Sequence, residues 1–192
     1  MLKKIIFLFL TIFILSGCNN SDSVDSNYNE IVVTMDSNID IENTVINQDI
    51  VFINMYKNWS EGYQCNGSLI DKNGYAYSFD FSDKPEDISN EEMVAEMKNI
   101  VNSEEKPSQM FSDKSLKYLY EILYRIDPNS GFKSKNEMFD YGQKTLYGVR
   151  YKDDGSLELV KIYSYGDWIE DPKDGYSQKL YEYYTYSTKK GN

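Results

Sequence analysis

The hydrophobic spacing of this chain changes period twice, and that switch limits its possible folds more than any other feature. From Asp49 to Ser82 apolar residues recur at strand-like intervals, and from Ser89 to Ile126 they recur every three or four positions. From Thr145 onward the period returns to two. A period of two turns one face of a strand to a core, whereas a period near 3.6 turns one stripe of a helix to it. Strands, then two helices, then strands describe an α+β domain, with a mostly antiparallel sheet and both helices packed on one of its faces.

Local signals fill in this outline. Ile39, Ile41 and Val45 give a weak strand pattern after the apolar Ile31-Val32-Val33, and Ile50 to Tyr56 is an apolar run of strand length. A strand from Glu61 to Asp71 places Tyr63, Cys65 and Leu69 on one face. Asp71-Lys72-Asn73-Gly74 then leads into Tyr75, Tyr77, Phe79 and Phe81 at alternate positions. Asn-Gly between two such runs predicts a hairpin, because these residues accept the positive φ that a tight turn needs. Ser89 and Glu92 fit a capping box ahead of a helix with Met93, Met97, Ile100 and Val101 on one face. Beyond Pro107 a second helix carries Leu116, Leu119, Tyr120, Leu123 and Ile126, and residues 127–131 stop it. Ser134 to Tyr141 reads as a short turn of helix. Three antiparallel strands complete the prediction. Thr145 to Lys152 turns at Asp153-Asp154-Gly155 into Leu157 to Tyr165, and a polar loop from Gly166 to Gly175 leads to a tyrosine-dense strand from Ser177 to Thr188.

The amino end has a different character. Lys3 and Lys4 precede an apolar run, Ile5 to Leu15, broken only by Thr11 and ending in Leu15-Ser16-Gly17-Cys18. The run is too short to cross a bilayer, which takes about 20 apolar residues. This ending resembles the lipobox of bacterial lipoproteins. The resemblance implies a signal peptide over residues 1–17, a diacylglyceryl group on Cys18, and a protein held at the cell membrane facing outside the cytoplasm. Two acyl chains hold a protein at a membrane far more stably than one. Residues 18–29 then form the lipidated cysteine and a small, polar, flexible tether, and residues 30–192 form a single folded domain.

Charge and residue types exclude several functions. The net charge is −11, and it becomes −13 once residues 1–17 leave with Lys3 and Lys4. Such a chain is a poor partner for nucleic acid, whose phosphates need Lys and Arg; only Arg125 and Arg150 are arginine. The absence of histidine removes Ser-His and Cys-His nucleophile pairs and the usual zinc sites. With Cys18 lipidated, Cys65 has no intramolecular partner and is expected as a buried small hydrophobe.

Three candidate sites remain. Tyr163, Tyr165, Trp168, Tyr181, Tyr183, Tyr184 and Tyr186 are a candidate binding surface for a protein partner or a glycan, since these side chains join a large apolar face to a polar tip. Glu158 with Asp167 or Glu170 is a candidate carboxylate pair for glycoside hydrolysis. Asp71 to Gly74 and Asp167 to Gly175 supply oxygens for calcium but match no EF-hand, and a turn and a solvated loop describe them better. No Walker loop, Rossmann glycine pattern or G-x-S-x-G is present. The expectation is a lipid-anchored, non-catalytic domain that binds a protein partner at the envelope and carries no metal or cofactor. A carboxylate-based carbohydrate-active or wall-modifying enzyme, or a glycan-binding module, is the alternative.

Overall fold

Asn73-Gly74 makes the first hairpin, with Gly74 at φ 83, joining β2 (Gln64–Asp71) to β3 (Ala76–Asp80). The computed structural model describes residues 35–103, 107, 109–136 and 140–190. The Cys18 motif, the tether and Ile31-Val32-Val33 lie outside the described residues. Those described all fall in one compact unit, Val33–Asn192.

Before this hairpin comes β1 (Ile50–Asn58); after it come α1 (Asn90–Val101), α2 (Asp113–Arg125), β4 (Phe132–Asn136), β5 (Gln143–Tyr151), β6 (Leu157–Gly166), β7 (Trp168–Pro172) and α3 (Gly175–Lys190). The strands form one sheet in the order β3-β2-β1-β5-β6-β7-β4, and neighbours pair antiparallel throughout. The fold is therefore α+β with a mostly antiparallel sheet, as the periodicity predicts.

The helices depart from the expected arrangement, since they cover both faces. Met93, Val94 and Met97 of α1 pack with Ile53, Leu69, Phe79 and Val149 on one face. On the other, Leu116, Leu119, Ile122 and Leu123 of α2 and Leu180, Tyr183 and Tyr184 of α3 pack with Phe52, Ile70, Val160 and Ile162. The reason is in β1, where Ile50, Val51, Phe52, Ile53 and Met55 are all buried. A strand apolar on both sides needs cover on both sides.

Three local expectations are corrected. The tyrosine-dense segment is the helix α3, not a strand. Its buried residues Ser177, Leu180, Tyr183 and Tyr184 are spaced for one helical stripe. Asp174 starts it, with its Oδ2 accepting the Ser177 N–H at 2.7 Å. Phe132–Asn136 is the edge strand β4 rather than a turn of helix, and its partner β7 lies within the segment expected as a loop. No strand forms around Ile39, Ile41 and Val45. Ile39 is buried against α2 and α3, while Val45 is 67% exposed.

Other expectations hold. The Ser89–Glu92 capping box is complete, α2 buries Leu116, Leu119 and Leu123, Gly155 turns β5 into β6 at φ 80, and Cys65 is fully buried as a free thiol.

Candidate functional site

The face of the sheet that carries α2 and α3 can be read in cross-strand rows. In the first row Phe52 stands opposite Ile70 on one side and Gly148 on the other, and Gly148 stands opposite Val160. Two residues along, Asn54 stands between Ser68 and Leu146, with Tyr163 beyond. In the third row Tyr56 stands between Asn66 and Lys144, with Tyr165 beyond. Each row is about 7 Å from the next. The first is apolar and buried, the second is mixed, and the third is polar.

Helix α2 seals the first row. A Cβ on Gly148 would stand 2.2 Å from Leu123 Cδ1, so the helix rests directly on the strand there. Over the second and third rows the cover is looser. An open groove of about 490 Å3 lies between this floor and a wall made by Met110 and by Tyr181, Tyr184, Thr185 and Thr188 of α3. Asn54, Ser68, Lys144, Leu146, Tyr163 and Tyr165 make its floor.

Aromatic contacts set the wall. Tyr184 is edge-on to Phe52, with ring centroids 5.6 Å apart, and lies 5.4 Å from Phe111. Tyr181 stacks on Tyr163 at 3.9 Å and 19°. Burial and the neighbouring Tyr163 push the Tyr181 phenol up to about 12, burial raises Tyr163, and burial raises Tyr184 strongly. These phenols are therefore neutral at physiological pH and act as hydrogen-bonding groups, not as charges.

The polar floor is unoccupied by internal partners. The side chains of Asn54, Ser68 and Lys144 make no hydrogen bond or ion pair among the described residues. Among the described residues no carboxylate lines the groove. Three other concavities each include one or more: Asp40, Glu42 and Asp113 in one, Asp153, Asp154 and Glu158 in another, and Glu91 in the third.

Of the seven residues predicted as one surface, Tyr163, Tyr165, Tyr181 and Tyr184 meet in this groove. Tyr183 points the other way, 5.1 Å from the Tyr118 ring, with its hydroxyl donating to Ser115 Oγ at 3.3 Å. Tyr186 lies half-buried on α3 without lining the groove. A helix turns about 100° per residue, so successive tyrosines scatter around it where a strand would give them two faces. Trp168 is 50% exposed at the end of the sheet, beside Tyr165 at 41%. There Tyr141 (63% exposed) donates its backbone N–H to Asp167 Oδ1, and Trp59 (51% exposed) follows β1. Sequence reasoning missed Asn54, Ser68, Lys144, Thr185 and Thr188, and of this aromatic rim it included Trp168 in the candidate surface but not Tyr141. Asn54 was the one usable signal, a lone polar residue in an apolar run.

The carboxylates predicted to pair are held apart. Glu158 accepts from Arg150 Nε and lies 3.9 Å from Lys152 Nζ, whereas Glu170 accepts from Lys161 Nζ at 2.8 Å. Glu170 stands opposite Ser164, six residues along β6 from Glu158, or about 20 Å of strand. Asp167 lies beyond the end of β6. The roughly 5–9.5 Å that glycoside hydrolysis requires is not met. Asp71 is buried, with Oδ1 accepting the Asn73 and Tyr75 N–H groups at 2.9 and 2.8 Å, so it stabilises the hairpin turn. Among the described residues no three acidic or thiol groups cluster to hold a metal ion, and no helix is long and apolar enough to cross a membrane.

Compared with family models, with curated proteins and with solved structures, the chain matches none.

Proposed function

We propose that this chain is a lipid-anchored extracytoplasmic binding protein, held at the cell membrane through Cys18 and receiving its ligand in the groove between α3 and the sheet. The observation that carries the binding role is the groove itself. It combines four tyrosines with unpartnered amide, hydroxyl and ammonium groups, which is the mixture of apolar wall and few directed polar groups that ligand sites present. The separation of Glu158 from Glu170 favours binding over carboxylate catalysis.

A protein partner is the second reading, favoured by the exposed rim of Trp59, Tyr141 and Trp168 together with the net charge of −11. Aromatic side chains of this kind anchor protein interfaces, and acidity steers a basic partner.

Two experiments test these readings. Metabolic labelling with palmitate should mark the full chain and not the Cys18→Ser variant; label on neither removes the anchor. Cross-linking of the anchored chain in its own cells, followed by mass spectrometry, should place contacts on α3 and Tyr165 for the groove reading, or on Trp59 and Trp168 for the rim reading. Contacts confined elsewhere defeat both.

A further inference from the structure

We infer that the groove takes a carboxylate-bearing sugar, with Lys144 reading the carboxylate and Tyr165 carrying the sugar ring. This rests on the reading that the groove is the binding site, and it adds the ligand's chemistry.

Size limits the ligand first. About 490 Å3 lies within the range of small-ligand pockets and is narrow for an amphipathic helix. Topology limits it next. The floor strands β2, β1, β5 and β6 are all interior to the sheet order. Their backbone N–H and C=O groups are engaged in ladders, so an extended peptide cannot add itself as a strand here. Recognition must come from side chains alone.

Those side chains suit a sugar. Tyr165 is 41% exposed and offers a ring face for apolar C–H groups, with a hydroxyl at its tip. Asn54 supplies both donor and acceptor, and Ser68 supplies a hydroxyl beside it in the same row. Thr185 and Thr188 each donate their own hydroxyl to a helix carbonyl, Tyr181 O at 2.9 Å and Thr185 O at 3.0 Å. Their lone pairs remain to accept from ligand hydroxyls. Lys144, in the floor, is the basic side chain among the described residues that line the groove.

Charge supplies the last element. In a chain with 31 acidic and 20 basic residues, the groove's lining among the described residues holds one lysine and no carboxylate, and the negative charge of Asp171 acts on Tyr163 and Tyr181 from outside that lining. Lys144 is exposed and has no ion pair among the described residues, so an incoming carboxylate has no internal acid to displace. A ligand with several negative charges would meet the repulsion of the surrounding surface, which favours isolated carboxylates on an otherwise neutral ring.

The test titrates the full chain with three probes, a trisaccharide of two galactose units and one galacturonic acid, neutral galactotriose and an acidic Asp-Tyr tetrapeptide, and follows the tyrosine resonances by NMR. The acidic sugar should bind at least tenfold more tightly than the neutral one and shift Tyr165 and Tyr181, as expected when a charged hydrogen bond is added. Lys144→Gln should abolish that tenfold preference without changing affinity for the neutral trimer. Equal affinities for the two sugars, or a preference that survives Lys144→Gln, overturn the inference while leaving the groove as a site. Groove shifts with the peptide alone do the same. Silence of Tyr165 and Tyr181 with every probe overturns the inference and removes the support that the groove gives to the binding role.

Discussion

Phe52 and Asn54 lie on the same strand and the same face, two residues apart, in opposite environments. Phe52 is fully buried under α2 and α3, between Ile70 and Gly148. Asn54 is half-buried between Ser68 and Leu146, facing an open groove. One step along the sheet separates close-packed interior from a solvated groove. The same helix, α3, covers both rows: Leu180 is fully buried at its packed end, and Thr185 and Thr188 stand over the open end. A binding surface can thus be placed with little cost to stability, because the first row carries the packing and the later rows are free to be polar.

Truncation should separate the rows most sharply. Phe52→Ala removes a buried ring that contacts Tyr184 at 5.6 Å, and urea unfolding should show a loss of about 3–5 kcal/mol. Asn54→Ala, one row away, should stay within about 0.5 kcal/mol of the parent. Comparable losses at the two positions would mean that the groove is part of the core.

Overpacking probes the same boundary with a smaller effect. Gly148→Ala puts a methyl group 2.2 Å from Leu123 Cδ1, and should cost about 1–3 kcal/mol. Combined with Leu123→Ala, which opens the space the methyl group needs, the total should be less than the sum of the singles. Strict additivity would show that α2 does not rest on Gly148.

These rows were only partly legible in the residue order. The Asn73-Gly74 hairpin and the Ser89–Glu92 cap were readable because the chemistry that forms them spans a few residues. Helix α2 was readable from Leu116, Leu119 and Leu123, which repeat at helical spacing. Helix α3 was not, because tyrosine and threonine favour strands on average and tertiary packing overrode that preference. The spacing of Leu180, Tyr183 and Tyr184 carried the helical signal beneath the composition. Strands β4 and β7 lack an apolar alternation and exist through their pairing with each other. The groove was illegible for a related reason. Its floor joins Ser68, Asn54, Leu146 and Tyr163 from four strands, and only the ladder register brings them into one row.

High pH should loosen the groove wall. The fold raises the Tyr181 phenol from 10.0 to about 12 through burial and the nearby Tyr163. A group whose folded value is raised contributes stability that is fully present below its unfolded value and is lost as pH rises through the folded one. Stability measured by urea should therefore fall between about pH 10 and 12, and Tyr181→Phe should flatten part of that fall. A profile unchanged by Tyr181→Phe would mean that the stacked pair contributes nothing to it.

The smallest effect discriminates best between a structural lysine and a recognition lysine. Lys161 lies on β6, where its Nζ donates to Glu170 at 2.8 Å and sits 4.4 Å from the Phe132 ring centroid. Lys144 lies on the neighbouring β5, in the groove, with no ion pair among the described residues. Lys161→Gln removes contacts that bind the edge pair β4–β7 to the sheet, and should cost about 0.5–1 kcal/mol, less at high salt. Lys144→Gln should leave stability within about 0.5 kcal/mol at any salt concentration. A side chain that contributes nothing to the fold, yet stands as the one cation and faces no carboxylate among the described residues lining the groove, is available for a ligand. If Lys144→Gln instead destabilised the chain as much as Lys161→Gln, Lys144 would have to hold a structural contact, and its role in recognition would lose its physical basis.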